Sequence, residues 1–274
     1  MRFLKLFFNF YINSSIHVGL AVYAFVRITE QYFELPYNED LDLFIFFGTI
    51  TGYNFVKYAG VAKLHHRSLT YNLKIIQVFS FFCFLAMCYY AYQIPSRTLL
   101  YVVPFTLLTL LYAVPFLSGF HKSLREVSYL KIIVVAIVWA GFTVLIPCVD
   151  AGKEVSLNSI LLLLQRLLIV VVLILPFDIR DVKYDVISLQ TIPKKIGIEK
   201  TKRLGLGLMV FALLIEYGIN TNAFSKNVFM IFFFLVLVFL MRSKINQSKY
   251  YSSFWVESLP IIWWLLLLGF RNLG

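Results

Sequence analysis

Charged residues are scarce in this chain of 274 residues. Only 14% of its side chains are charged, whereas 60% are hydrophobic. A soluble domain carries roughly a quarter charged residues, because its surface faces water. The shortage of charge therefore excludes a soluble globule and predicts that lipid is the main solvent of the surface.

Cysteine is also rare, and all three cysteines (Cys83, Cys88 and Cys148) lie in apolar runs. Their odd number and the lack of metal-ligand spacing support neither a disulfide framework nor a zinc site. The chain likewise lacks a polar linker, a low-complexity tract and a clear internal repeat. We therefore predict a single membrane-embedded domain over residues 1–274.

Long apolar segments are what the sequence does contain. A helix needs about 20 apolar residues to cross a hydrocarbon core of about 30 Å. Backbone groups inside lipid must bond to one another, so each crossing segment must be helical. We predict an all-α, polytopic membrane bundle of about nine transmembrane helices, preceded by an interfacial amphipathic helix over residues 1–12. The predicted spans are 13–29, 42–60, 73–94, 97–117, 129–149, 157–177, 203–221, 226–241 and 254–270.

Lysine and arginine are distributed unevenly between the two sides of these spans. Nineteen of the 25 lie on one side and five on the other, with Arg166 inside a span. The positive-inside rule then predicts a cytoplasmic N-terminus, cytoplasmic even-numbered loops and an external C-terminus. The net charge of +11 follows from this topology and suits anionic lipid headgroups, so no nucleic-acid partner is needed to explain it.

Three aspartates follow the sixth predicted span. Asp178, Asp181 and Asp185 are spaced i, i+3, i+7, which places them on one helical face. Like charges on one face repel, so a counter-charge is expected. Mg²⁺ takes one or two carboxylates and completes its shell with water and phosphate oxygens. The pattern predicts a cytoplasmic magnesium–phosphate site; the alternative is a solvated helix end balanced by Arg180 and Lys183.

Two neighbouring motifs together resemble those of the UbiA-type membrane prenyltransferases. The first is D-x-x-D-x-x-x-D over residues 178–185, and the second is T-I-P-K-K-I-G over residues 191–197, similar to the family's T-L-P-x-x-x-G. Nine spans, with the aspartate motif after the sixth, also match the family's helical bundle. Tyr112 near the end of the fourth span and the stretch 130–133 opening the fifth resemble family segments less specifically.

The sequence departs from the family at the end of the second span. The family's first signature there reads N-D-x-x-D-x-x-x-D. This chain keeps Asn54, but Phe55, Tyr58 and Ala62 stand where the three aspartates belong. One of the family's two metal-binding carboxylate sets is therefore absent.

The resemblance implies an enzyme that transfers a prenyl chain from an allylic polyprenyl diphosphate to an acceptor, commonly aromatic, with Mg²⁺ as cofactor. It implies that Asp178, Asp181 and Asp185 are the metal ligands and the catalytic residues. We predict that Lys57 replaces the missing second metal as a fixed positive charge. The remaining predicted substrate-binding residues are Asn54, Tyr58, Tyr112, Lys131 and Arg180.

Other interpretations remain open at this stage. A non-catalytic relative that binds a prenyl lipid or diphosphate would explain the missing first motif. A small cation-coupled transporter would explain the acids, although transport sites usually lie near the midplane rather than at one face. Individually, Lys57 could be a topology-setting cation, Asn54 an interhelical hydrogen-bonding residue, and Tyr58 and Tyr112 belt aromatics.

Overall fold

The computed structural model describes residues 2–64, 71–113, 130–183, 191–219 and 221–271, and every regular element in these ranges is helical. In chain order the α-helices are α1 (Arg2–Asn13), α2 (Ile16–Phe33), α3 (Glu39–Leu64), α4 (Tyr71–Gln93), α5 (Ser96–Ala113), α6 (Leu130–Ala140), α7 (Ile146–Asp150), α8 (Leu157–Asp181), α9 (Ile192–Ile196), α10 (Ile198–Gly218), α11 (Ala223–Arg242) and α12 (Leu259–Arg271). Two π-helical segments, Gly141–Leu145 and Tyr251–Val256, connect α6 to α7 and lead into α12.

The prediction of an all-α membrane bundle is confirmed, and within the described ranges the predicted spans fall on helices. Six described stretches are long and apolar enough to cross a membrane, by length and composition: Leu73–Gln93, Ser96–Ala113, Leu130–Asp150, Leu157–Asp181, Ala223–Arg242 and Tyr251–Gly269. The other three predicted spans fall on α2, α3 and α10, which are as long but carry charged residues near their ends. The chain is therefore a multi-pass helical bundle, and its orientation in the membrane stays a prediction.

Helices α2 and α8 form the centre of the bundle. Helix α8 packs against α6, α10 and α11, and α2 packs against α3 and α12. In contrast, α4 directs large apolar side chains such as Phe82 and Tyr89 outward, where both are exposed. Tight helix packing inside and apolar side chains outside are what a lipid solvent favours.

The π-helical turn at Gly141 brings α5 close to the centre of the bundle. A Cβ atom at Gly141 would lie 2.3 Å from the ring of Phe105, so only glycine permits this approach. Single π turns inside helices recur at functional sites. Trp139, two residues earlier, packs its ring against Phe25 of α2 and Tyr53 of α3.

The T-I-P-K-K-I-G motif forms a tight corner beside the end of α8. The carbonyl of Thr191 accepts hydrogen bonds from the backbone N–H groups of Lys194 and Lys195, at 3.1 and 3.0 Å, which begins α9. Gly197 then joins α9 to α10 with φ of +86°, a conformation that favours glycine. Because α9 contacts both α8 and α10, the motif packs against the helix that carries the aspartates.

Candidate active site

The end of α8 carries the two described members of the aspartate motif. Asp178 is 1% exposed, and the Nζ atom of Lys131 donates a hydrogen bond of 2.9 Å to its Oδ1. Asp181 is 33% exposed, and Arg180 donates to both its oxygens, Nε to Oδ1 at 2.7 Å and Nη2 to Oδ2 at 3.0 Å. The structure thus brings two predicted acids and two predicted cations together. Asp185 lies outside the described residues.

A proline positions this cluster. Pro176 lies inside α8 and supplies no backbone N–H, so the last turns of the helix lose one backbone hydrogen bond. The side-chain amide of Gln247 donates to the carbonyl of Pro176 at 3.2 Å and also to the hydroxyl of Ser252. The segment between α11 and α12 is therefore attached to the end of α8 that carries the aspartates, which we call the aspartate end of the bundle.

Asn54 makes its hydrogen bonds within the protein. Its side-chain amide donates to the carbonyl of Ser14 at 2.9 Å and to the hydroxyl of Ser80 at 2.8 Å. Its Oδ1 accepts from the hydroxyl of Ser15 at 2.8 Å. Asn54 thus joins α3 to α4 and to the turn between α1 and α2, and its predicted role in phosphate binding stays a prediction.

Lys57 and Tyr58 meet at the same turn. The Nζ atom of Lys57 and the hydroxyl of Tyr58 both donate to the carbonyl of Asn13, at 3.1 and 2.9 Å. Neither residue lines the cavities described below. Lys57 nevertheless lies in electrostatic range of Arg180, so its charge acts on the neighbourhood of the aspartates.

A cavity of about 210 Å³ opens beside the end of α8. Its polar lining consists of Lys131, Asp181, Glu257 and the two tyrosines Tyr53 and Tyr112. The rest of the wall is apolar and includes Trp139, Leu173, Ile174, Phe177 and Pro260. The cavity therefore has charged side chains among otherwise hydrophobic walls.

A second, larger cavity of about 480 Å³ adjoins the first. It lies between α2, α3, α4, α5 and α6 and is lined almost wholly by apolar side chains. The two cavities share Tyr53, Tyr112, Val135 and Trp139, so they are neighbouring compartments. At their junction the indole Nε1 of Trp139 donates to the hydroxyl of Tyr53 at 2.8 Å. An ionic compartment beside an apolar one suits an amphiphile with an anionic head and a hydrocarbon tail.

Three residues of this site were not predicted: Tyr53, Trp139 and Glu257. Glu257 did carry a usable signal, since it is an acid inside the predicted span 254–270, and ionisable residues inside spans commonly mark functional sites. Tyr53 and Trp139 carried none, because aromatic residues are frequent throughout the chain.

The side chains at this site can hold Mg²⁺ only when a bound ligand supplies further oxygen atoms. Among the described residues no three His, Cys, Asp or Glu side chains are grouped closely enough to hold a metal ion by themselves. Mg²⁺ needs only one or two carboxylates when phosphate oxygens and water complete its shell. Asp181 and Glu257 offer such carboxylates to the cavity. The site therefore fits a magnesium ion that binds together with a phosphorylated molecule.

The fold and the site define a multi-pass helical bundle with an ionic cavity at the end of α8. No protein-family model and no curated protein matches the chain. Solved structures do, and the predicted resemblance is confirmed at the level of the fold, which is that of the UbiA homologues.

Two of these structures are of a UbiA homologue from Archaeoglobus fulgidus. The one bound to DMAPP and Mg²⁺ has a TM-score of 0.63 and 12% identity, covering 94% of this chain and 98% of the other. The one bound to GPP and Mg²⁺ has a TM-score of 0.61 and 11% identity, covering 95% and 98%. A digeranylgeranylglyceryl phosphate synthase has a TM-score of 0.57 and 19% identity, covering 98% of both chains.

Proposed function

We propose that this protein transfers a prenyl chain from an allylic prenyl diphosphate to an acceptor inside the membrane, with Mg²⁺ as cofactor. The observation that carries the proposal is the pair of adjoining cavities, one ionic and one apolar, at the aspartate end. A prenyl diphosphate has the same two parts. The shared fold with homologues bound to DMAPP or GPP and Mg²⁺ supports the assignment.

The diphosphate occupies the ionic compartment in this proposal. Lys131 lines this compartment, and Arg180 supplies positive charge beside it through its partner Asp181. The ion pairs with Asp178 and Asp181 fix the positions of both cations. Groups that are held in place before the reaction stabilise developing charge effectively, since they need no reorganisation. Magnesium, when bound by Asp178, Asp181 and Asp185, would supply further positive charge to the departing diphosphate.

The prenyl chain occupies the apolar compartment. Tyr112 lines both cavities and is placed to contact the chain next to the diphosphate. As the bond between the allylic carbon and the diphosphate oxygen breaks, the rings of Trp139 and Phe177 face the developing cation, which aromatic faces attract. The acceptor then forms the new bond to the allylic carbon and loses a proton, while the diphosphate leaves with the bonding electrons.

Residues of α3 complete the proposed site at longer range. Lys57 contributes a fixed positive charge near Arg180. Asn54 and Tyr58 would reach a phosphate only by exchanging their present bonds to the turn between α1 and α2. Their contribution is therefore expected to be smaller than that of Lys131 or Arg180.

The experiment uses the purified full chain in lipid nanodiscs with DMAPP, geranyl or geranylgeranyl diphosphate and Mg²⁺. Release of diphosphate is measured for the wild type, for Asp181→Asn and for the control Glu154→Gln, whose exposed carboxylate lies in the loop before α8. We expect magnesium-dependent release by the wild type and the control and a loss of about 100-fold or more in Asp181→Asn. Undiminished release by Asp181→Asn would refute the proposal.

A second function is favoured by one observation, the absence of aspartates at positions 55, 58 and 62 of α3. A protein that binds a prenyl diphosphate without turning it over would need only the α8 acids. Magnesium-dependent binding of the donors without any release of diphosphate, also in the presence of aromatic acceptors, would establish this second function instead.

A further inference from the structure

The segment that carries Glu257 is firmly attached to the bundle. The backbone N–H of Glu257 donates to the carbonyl of Ser252 at 3.2 Å, which closes the π-helical segment. The ring of Phe254 stacks on His17 of α2 at 4.8 Å, and the hydroxyl of Ser258 lies 3.1 Å from the Nε2 of the same histidine. These contacts on both sides fix the backbone from which the Glu257 side chain enters the ionic cavity.

The Glu257 carboxylate differs from the two described acids of α8. Asp178 is paired with Lys131 and Asp181 with Arg180. Within the described ranges, by contrast, no hydrogen bond reaches the carboxylate of Glu257, and no cation lies within the 4.0 Å of an ion pair. Lys57 and Arg180 act on it only at longer, electrostatic range.

A carboxylate that lies inside the bundle without a bonded cation favours the binding of a positively charged ligand. Ionisable groups inside a membrane bundle are expensive unless they pair with an opposite charge. Glu257 also lines the same cavity of about 210 Å³ as Asp181, although it comes from a different part of the chain. Two carboxylates from separate segments of the chain at one cavity match the number that Mg²⁺ takes when phosphate oxygens supply the rest.

We propose that Glu257 is a metal-binding residue of this site. It supplies a carboxylate ligand in place of those that α3 lacks. The ion is a divalent cation that enters with the diphosphate and lies between Glu257 and Asp181. The motif positions of α3 hold Phe55, Tyr58 and Ala62, so the second carboxylate of the cavity comes instead from the end of the π-helical segment before α12. This inference rests on the proposed function and concerns only which residue completes its metal site.

The test measures metal binding rather than turnover. Mn²⁺ replaces Mg²⁺, and its free concentration is followed by electron paramagnetic resonance with the full chain in detergent, geranyl diphosphate and no acceptor. Wild type is compared with Glu257→Gln and with Glu199→Gln, a matched change of a carboxylate that is 79% exposed and lies at the start of α10. We expect at least about tenfold weaker Mn²⁺ binding in Glu257→Gln and unchanged binding in Glu199→Gln.

Each outcome separates this inference from the proposed function. Equal Mn²⁺ affinity in wild type and Glu257→Gln would overturn the metal role of Glu257 while the proposed function stands. If Glu257→Gln lowers the unfolding temperature but leaves the Mn²⁺ affinity unchanged, the metal role is likewise overturned. Glu257 is then a counter-charge for Lys57 and Arg180. Wild type that binds no Mn²⁺ with geranyl diphosphate would overturn both. Should Glu257→Gln fail to fold, Glu257→Asp keeps the charge and withdraws it by one methylene, and an unchanged affinity there overturns the inference.

Discussion

Two of the groups of charged residues inside this membrane bundle are built differently. The first lies deep between α2, α8 and α10, where Glu216 accepts hydrogen bonds from Tyr32 at 2.9 Å and from Gln165 at 2.7 Å. Arg166 donates to the carbonyl of Phe25 at 2.9 Å and covers that ring at 4.0 Å. Glu216, Gln165 and Arg166 are all fully buried, and no residue of this group lines either cavity.

The second group lies at the aspartate end and faces a cavity. Asp181 and Arg180 are about one third exposed, and within the described ranges the side chain of Glu257 makes no hydrogen bond or ion pair. The difference teaches how to interpret charge in a membrane protein. Polar groups that bond to one another in a closed network stabilise the packing of helices. Polar groups whose charge faces an open cavity are available to a ligand.

The largest expected effect comes from opening the closed network. Glu216→Leu removes the acceptor for Tyr32 and Gln165 and leaves Arg166 buried without its nearby anion. A buried donor that loses its acceptor typically costs about 1–3 kcal/mol, and Glu216 accepts from two such donors. We therefore expect a strongly lowered midpoint of thermal unfolding in detergent, followed by the fluorescence of the tryptophans.

The affinity of the folded Glu216→Leu fraction for geranyl diphosphate should be unchanged. Glu154→Gln, whose carboxylate is exposed, is the control and should unfold as the wild type does. A Glu216→Leu protein of normal stability that loses its affinity for the donor would break the distinction between the two groups.

Lys131 lines the cavity and also pairs with the buried Asp178, so its substitution should lower both ligand affinity and stability, each to a smaller extent. Lys131→Met leaves Asp178, which is 1% exposed, without the hydrogen bond of 2.9 Å. Loss of a charged hydrogen bond is worth about 1.5–3 kcal/mol, and the 28% exposure of Lys131 places the expected destabilisation at the lower end. Diphosphate affinity should also fall by about tenfold, since one cation of the cavity is removed.

Lys131→Arg is the matched control, because it keeps the charge and the donor while changing their geometry. It should restore most of the stability and only part of the affinity. Full affinity in Lys131→Met would show that this cation serves the fold alone.

The apolar compartment offers a smaller effect that leaves stability intact. Gly52 lines the cavity of about 480 Å³, and a Cβ atom there would meet its nearest neighbour, Thr109, at 4.0 Å. Gly52→Leu should therefore fill the cavity and weaken binding of a geranylgeranyl donor by several-fold, while DMAPP binds as before. Gly207→Leu is the control, since Gly207 is also helical and a Cβ atom there would meet nothing within 4 Å. Equal loss for both donors would contradict the assignment of this cavity to the prenyl chain.

Much of the fold could be predicted from the sequence, because lipid forces backbone groups to bond within each helix. The predicted spans coincide with long helices, and Asp178, Asp181, Lys131 and Arg180 do meet at one end of the bundle. The spacing of Asp178 and Asp181 along α8 was enough to predict that they lie close together, since residues three apart share a face of a helix.

The rest of the site depends on contacts between distant parts of the chain. Glu257 reaches the cavity of Asp181 because a π-helical segment before α12 is packed against α2 and attached to the end of α8 through Gln247. No local periodicity encodes that arrangement. The partners of Asn54 are equally non-local, since they come from the turn before α2 and from α4. The hydrogen bonds of a polar residue cannot be assigned until its neighbours in space are known.

The smallest expected effect tests the junction of the two compartments. Tyr53→Phe removes the hydroxyl that accepts the indole N–H of Trp139 at 2.8 Å. Interhelical hydrogen bonds in membrane proteins average about 0.6 kcal/mol, so the unfolding midpoint should fall only slightly. Turnover should change by less than about threefold, because a hydroxyl that is already bonded to its neighbour adds little to ligand binding. A tenfold loss of turnover at unchanged stability would instead mean that the Tyr53 hydroxyl contacts the ligand directly.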